Sequence, residues 1–198
     1  MALRTLLHVG CGPLSLANTT QGFANDGWRE IRMDVDESVK PDVLGTITDM
    51  RAVADASVDA VYSSHNIEHL YWNEVPQALA EFRRVLRAQG FAVIICPDLQ
   101  AAAKLIAEDR LFDLIHEEGA GSATPFDMLF SHRALAGRDK PFMAHHCGFT
   151  ASTLQDALLG CGFAMVGIVR SGWMLRAVAC MQALERPELD ALARRYLR

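Results

Sequence analysis

The stretch that most constrains this chain is Leu6 to Pro13, LLHVGCGP, an apolar run that breaks into Gly-Cys-Gly-Pro. Such a run reads as a buried strand followed by a turn whose backbone, with no Cβ in the way, lets another group come close. A second apolar run then closes on Met33-Asp34-Val35-Asp36. An acidic side chain at the end of that second strand is placed to accept hydrogen bonds from ribose hydroxyls. The two features together read as a nucleoside-binding site on an α/β scaffold. A glycine turn after a strand also occurs without any ligand, so the rest of the chain has to decide.

With 198 residues, 51% hydrophobic and 22% charged, the chain is long enough for one well-buried core, and residues 1–198 read as a single domain. A net charge of -5, without a long lysine or arginine run, gives no electrostatic basis for a nucleic-acid partner. The N-terminus enters a strand at once, without the basic and apolar segments of a secretory leader, and no apolar run reaches membrane-spanning length. The expectation is a cytoplasmic protein with no membrane partner. The five cysteines, Cys11, Cys96, Cys147, Cys161 and Cys180, are scattered without a CxxC pair, which suggests neither a disulfide framework nor a zinc ribbon.

Short apolar runs predict strands at Thr5 to Val9, Arg29 to Met33, Ala60 to Ser63 and Phe91 to Ile95. Between the last two, Asn73 to Arg87 places Val75, Leu79, Phe82, Val85 and Leu86 on one helical face, and Gln89-Gly90 is the predicted stop. Strand, helix and strand in that order imply a parallel pair joined by a right-handed crossover. Thr150 to Leu159 reads as a helix capped by Thr150 or Ser152, followed by strands at Ala164 to Val169 and Leu175 to Met181 in a hairpin. The terminal ERPELDALARRYLR reads as a charged surface helix or a frayed tail. The region between Pro97 and Phe149 is too long for an ordinary connection and carries His116, His132, His145 and His146 among Phe126, Asp127, Phe130, Phe142 and Met143. It reads as a partly helical lid, residues 99–149, inserted in the domain.

In this order the pieces resemble the class I S-adenosylmethionine-dependent methyltransferases, particularly small bacterial members with an HxxEHL-type signature at the fourth strand. Val9-Gly10-Cys11-Gly12 resembles the glycine motif around the methionine part of the cofactor. Asp34 matches the residue that holds the ribose diol, with Asp36 sharing or replacing that role, and Asp49-Met50 resembles the loop bordering the adenine. SVDAVYSSHNIEHLYW and LAEFRRVLRAQGFAVIICPD resemble the fourth strand, its helix and the turn into the fifth strand. The resemblance implies a Rossmann-like, seven-stranded, mostly parallel sheet with helices on both faces and a C-terminal antiparallel hairpin. It also implies S-adenosylmethionine as cofactor, S-adenosylhomocysteine as product, and a place for His65 near the sulfonium. Three positions depart from the family pattern: His8 stands for an acidic residue, Leu14 for a third glycine and Thr46 for an aspartate.

His65-Asn66-Ile67-Glu68-His69 also fits HxxEH, which on a helix puts two zinc ligands on one face. Here the first histidine ends a strand and a third ligand is not evident, so no metal is expected. His145 and His146, adjacent in extended chain, point opposite ways, and one of them either reaches the substrate as a base or anchors the loop. Phe126 and Phe130 line an acceptor pocket or pack a lid helix, and Tyr71 and Trp72 mark the edge of the crevice. The first reading is transfer of a methyl group to an oxygen or nitrogen of a small-molecule acceptor, with His65 or His145 nearest to it. The second is a non-catalytic methyltransferase-fold binding or accessory subunit. In either, residues 99–149 or a partner subunit, such as a second copy in a homodimer, closes the site. A nicotinamide enzyme is disfavoured, because Gly12-Pro13-Leu14-Ser15 does not supply GxGxxG.

Overall fold

The structure is a computed structural model that describes residues 3–24, 27–117, 121–133 and 141–198. Its central strands are β1 (Arg4–Val9), β2 (Trp28–Asp34), β3 (Val43–Leu44), β4 (Val58–Ser64), β5 (Leu86–Pro97), β6 (Met165–Ser171) and β7 (Met174–Cys180). They form one sheet in the order β3-β2-β1-β4-β5-β7-β6. The first five run parallel, and β7 pairs antiparallel with both β5 and β6. This is the expected seven-stranded, mostly parallel sheet with its C-terminal hairpin. The helices are α1 (Gln21–Ala24), α2 (Val75–Val85), α3 (Leu99–Ala107), α4 (Pro125–Phe130), α5 (Ala151–Gly160) and α6 (Arg186–Tyr196).

Successive side chains of a strand point to opposite faces, so a parallel strand buried on both sides has to be apolar throughout. Leu7, Val9, Val61, Ala92 and Ile94 enter one core with Leu79 and Phe82 of α2 and Leu154 and Leu158 of α5. Leu6, Ala60, Tyr62, Val93 and Ile95 enter the other, with Phe23 of α1 and Leu189 and Tyr196 of α6.

One expectation about an element's end is corrected, and of the two readings of the C-terminal segment the helix holds. The helix predicted to run to Arg87 and stop at Gly90 ends at Val85, because Leu86 turns extended and pairs with Val58. The register then slips before Ala60 meets Phe91, so Arg87 to Gly90 form an irregular start of β5. Gly90 serves a close approach there: a Cβ would lie 3.0 Å from the carbonyl oxygens of Arg87 and Asp59. The C-terminal segment is not frayed. Among the described residues between β1 and β2 the helical structure is a 3-10 turn, Leu16–Asn18, and the single turn of α1, and α6 fills the sheet face left open. Tyr196 is 1% exposed, with its ring 4.7 Å from Phe23 and 4.8 Å from Phe91, and its hydroxyl accepts from Arg4 Nη1 at 3.1 Å.

From α3 to residue 149 the chain builds an annex beyond the sheet's carboxyl edge: α3, a two-stranded ribbon (Ile115–Glu117 and Gly121–Ala123), α4 and a 3-10 turn, Pro141–Met143. Ala102, Leu105, Ile115 and Met128 give it a small apolar cluster of its own. Residues 118–120 and 134–140 of the expected lid lie outside the described residues. Among the described residues no helix is long and apolar enough to cross a membrane.

Tyr196→Ala is expected to lower the unfolding free energy by about 3 kcal/mol, the cost of emptying a packed aromatic site. Urea denaturation measures it, and a loss below about 0.5 kcal/mol, typical of surface positions, would mean that α6 does not hold the sheet.

Candidate active site

The strand order reverses between β1 and β4, and ligands of open α/β sheets sit in the crevice outside the carboxyl ends of such a pair. At the end of β1, Gly10 (φ 61°) and Gly12 (φ 52°) take the left-handed conformation that only glycine adopts without strain. Asp34, at the end of β2, staples this turn: Oδ2 accepts from Gly12 N at 2.7 Å and Oδ1 from Asp36 N at 2.9 Å. Each oxygen retains a further lone pair for a hydroxyl donor. Asp36 caps the next 3-10 turn, its Oδ1 accepting from Ser38 N at 2.9 Å. Val9, Cys11 and Met50 are buried in the core, which leaves their main chain to serve the crevice. Asp49 is partly exposed and pairs with Arg51 at 2.6 Å.

Three observations test whether this crevice fits a nucleoside cofactor with an amino-acid tail. A Cβ on Gly12 would meet nothing within 4 Å, which leaves open space above the turn. A Cβ on Gly10 would lie 2.6 Å from the Asn66 side chain, whose Nδ2 is buried without a hydrogen-bond partner, and Ser63 Oγ is likewise unpartnered. Buried donors of that kind call for a polar ligand. The residues present therefore fit the group. At the departing position His8, a neighbouring strand supplies the acid: Glu30 Oε1 lies 2.8 Å from His8 Nδ1, and Glu30 Oε2 accepts from Leu16 N at 2.9 Å. Burial lowers the His8 pKa despite the opposing pull of Glu30.

A cavity of about 880 Å³ adjoins this crevice, reaching from Leu14 and Asn18 to His65, His69, His145 and Trp173. A smaller one of about 560 Å³ lies around Asp49, Arg51, Glu81 and Arg84, whose charges already pair with one another or with Asp55. The larger cavity is thus the one with reactive groups to offer. His65 follows β4 with φ 50°, a conformation uncommon for any residue but glycine, and its amide donates to Ile95 O at 2.9 Å. The turn Ile67–His69 is then sewn to residues 144–147. Glu68 O accepts from His146 N at 2.9 Å and Cys147 N at 3.2 Å, Cys147 Sγ donates to Ile67 O at 3.3 Å, and His69 Nδ1 donates to Ala144 O at 3.1 Å. His145 Nδ1 donates to Met128 O at 2.9 Å, and its ring meets that of His69 edge-on at 4.9 Å. Burial lowers the His145 pKa below its ordinary value, against the attraction of Glu68. Burial alone would raise the Glu68 carboxyl, but the imidazoles of His65, His69 and His145 outweigh it and hold the group below the usual range.

The structure thus brings both predicted histidines, His65 and His145, to one cavity. His146 points away as expected and stacks on Tyr71 at 4.2 Å, while Trp72 leans on Phe149 at 5.5 Å. Phe126 packs between Phe112 and Phe130 instead of facing the cavity, and Asp127 and Met128 supply the wall. Tyr62, Ser64, His69 and Arg176 also line it and were missed as site residues. The available signal was Tyr62-Ser63-Ser64, polar side chains at the end of an otherwise apolar strand.

Residues 7–94 match a family model described as a methyltransferase domain. Among solved structures, the chain is similar to a SAM-dependent methyltransferase from Archaeoglobus fulgidus, at 16% identity over 90% of this chain and 86% of that one, with a TM-score of 0.58. It is similar to a SAM-dependent methyltransferase from Thermotoga maritima at 14% identity over 92% and 84% (TM-score 0.59). It also resembles the 1,6-didemethyltoxoflavin-N1-methyltransferase of Burkholderia thailandensis, solved with 1,6-didemethyltoxoflavin and S-adenosylhomocysteine, at 14% identity over 90% and 71% (TM-score 0.54). No curated protein matches the sequence. The domain match, which spans residues 7–94 of the 198, and the sheet order together give this chain the fold of the S-adenosylmethionine-dependent methyltransferases it is similar to. The match to a methyltransferase domain supports a methyltransferase enzyme, and the likeness to SAM-dependent methyltransferases, one of them solved with S-adenosylhomocysteine, supports S-adenosylmethionine as its cofactor.

Asp127, on the cavity wall, is a local test of the electrostatics. Burial raises its carboxyl, but hydrogen bonds from Thr124 and Arg133 prevail and bring it to about 2. A carboxyl depressed on folding stabilises the fold fully above its unfolded pKa of about 3.9, and that stabilisation is lost as the pH falls toward the folded value. Asp127→Asn is expected to cost about 2 kcal/mol at neutral pH. In urea denaturation the gap to wild type should narrow below about pH 4, and a gap independent of pH would assign the cost to packing.

Proposed function

We propose that the enzyme transfers a methyl group from S-adenosylmethionine to an oxygen or nitrogen of a small metabolite bound in the larger cavity. The observation that carries this reading is the placing of His65, held at φ 50° at the end of β4, and His145 on one cavity beside the glycine crevice. Its volume of about 880 Å³ suits a small molecule. The Burkholderia thailandensis neighbour, named for methylation at N1 of 1,6-didemethyltoxoflavin, sets a precedent for such an acceptor on this fold.

The cofactor, when bound, supplies a methyl group on a positively charged sulfur, an electrophile already activated. The main chain of Val9 to Gly12 holds its methionine part, Asp34 with Asp36 its ribose, Asp49 and Met50 border the adenine, and His65 stands near the sulfur. The protein's task is then alignment and exclusion of water. An imidazole nitrogen of His65 or His145 would take the proton of an acceptor O–H or N–H, leaving the acceptor atom free to receive the methyl group that the cofactor would supply. Residues 99–149, within a single domain over 1–198, act as the lid, and Ile115, Ala123 and Met128 are its contribution to the cavity wall.

Asp34→Ala is expected to weaken S-adenosylhomocysteine binding about tenfold or more, the loss of a hydrogen bond to a charged group, as measured by calorimetry. Absence of any binding to the wild type would overturn the reading. His65→Ala should retain S-adenosylhomocysteine affinity while turnover falls about 100-fold on small hydroxyl or amine acceptors, followed with labelled methyl donor. Turnover equal to wild type would remove His65 from the reaction.

A further inference from the structure

Glu68 is a buried carboxylate whose ion pair, to His65, is long. Its side chain is 1% exposed, neither carboxylate oxygen has a hydrogen-bond partner, and His65 Nδ1 stands 3.6 Å from Oε1, beyond hydrogen-bond length. A buried carboxylate in that state is costly unless positive charge stands beside it. Among the described residues, one group of three side chains gathers metal-ligating atoms within 4.8 Å of one another: Glu68, His69 and His145. Each imidazole already donates its Nδ1–H to a main-chain carbonyl, Ala144 O for His69 and Met128 O for His145. The neutral rings therefore carry their bare lone pairs on Nε2. Metal sites use the same outer hydrogen bonds to fix the tautomer and aim of their histidines. In their neutral form the two rings and the carboxylate turn lone pairs toward one point, where a divalent cation would find three ligand atoms. The nearby thiol is already engaged, since Cys147 Sγ donates to Ile67 O at 3.3 Å.

We propose that Glu68, His69 and His145 bind one divalent transition-metal ion, with a coordination position left open to the larger cavity. Two imidazole nitrogens and one carboxylate oxygen form a donor set for zinc with an open fourth position, whereas magnesium and calcium favour oxygen ligands. His69 and His145 line the cavity, so the open position faces it, with Glu68 behind. Ligands about 2.0 to 2.1 Å from a tetrahedral ion stand closer together than this group does, so the half-buried rings close in on loading. If the methyltransferase reading holds, on which this consequence rests, the open position takes an oxygen or nitrogen of the acceptor. His145 is then a ligand, and His65 remains to take the proton. Acceptors would be compounds carrying a metal-binding group beside the atom to be methylated.

The test is titration of chelator-treated full-length protein with Zn²⁺ by calorimetry and with Co²⁺ by visible absorption. One ion per chain is expected, with Co²⁺ bands of a low-coordinate nitrogen and oxygen site. Glu68→Gln, His69→Ala and His145→Ala, each checked for folding by circular dichroism, should weaken Zn²⁺ binding about 100-fold or more and lose the bands. Should an alanine variant fail to fold, His69→Gln or His145→Asn takes its place. A wild type that takes up neither ion well above the protein concentration, as expected if a proton between Glu68 and an imidazole balances the charge, overturns the site. So do folded variants that bind as tightly as wild type. S-Adenosylhomocysteine calorimetry on the metal-free protein separates the two readings: cofactor binding without metal uptake rejects the ion alone, and metal uptake without cofactor binding rejects the transferase reading alone.

Discussion

One backbone oxygen, that of Glu68, joins the sheet to the annex at the site. It accepts two amides from a distant part of the chain, His146 and Cys147, and so fixes the turn after β4 against the segment that carries His145. Because β4 and β5 are buried on both faces, the turn has little freedom to recoil, and His65 takes its left-handed conformation between a rigid strand and a pinned turn. Backbone strain of this kind persists only where the surroundings over-determine it.

The two sides of the site are built from different materials. Around Gly10, Gly12 and Asp34 the polar groups are amides and one carboxylate, held by strand ends that cannot move without breaking the sheet. Around His65, His69, His145 and Asp127 they are side chains on turns and short helices, with His69 and His145 each tied to one main-chain carbonyl and Asp127 held by Thr124 and Arg133. A nucleoside common to a whole enzyme class suits the first material, and an acceptor particular to one enzyme suits the second.

What the sequence made legible follows the range of the interactions. The strands at Thr5, Arg29, Ala60 and Phe91, the helix after Asn73 and the closing hairpin were visible because buried strands and amphipathic helices declare themselves by local periodicity. The two residues of β3 were too few to show a pattern. Gly90 was misread as a helix stop because its reason is a close approach to Asp59, a contact made across the sheet. Tyr196, near the chain's end among arginines, gave no local sign that it fills the gap beside α1. The same limit governed the site. His65 and Asp34 were placed from motif order, whereas the company of Glu68 and His145 depends on a loop returning from far along the chain.

The annex keeps its own small apolar cluster, Ala102, Leu105, Ile115 and Met128, apart from the two cores that hold the sheet. Mutations there can redraw the wall of the cavity while the strands and the glycine turn stay as they are, since distant sites contribute to stability almost independently. Such a division makes the protein evolvable in one particular direction. The shape of the cavity can change by drift in the annex at little risk to the scaffold, and a laboratory library confined to those positions would vary that shape in the same way.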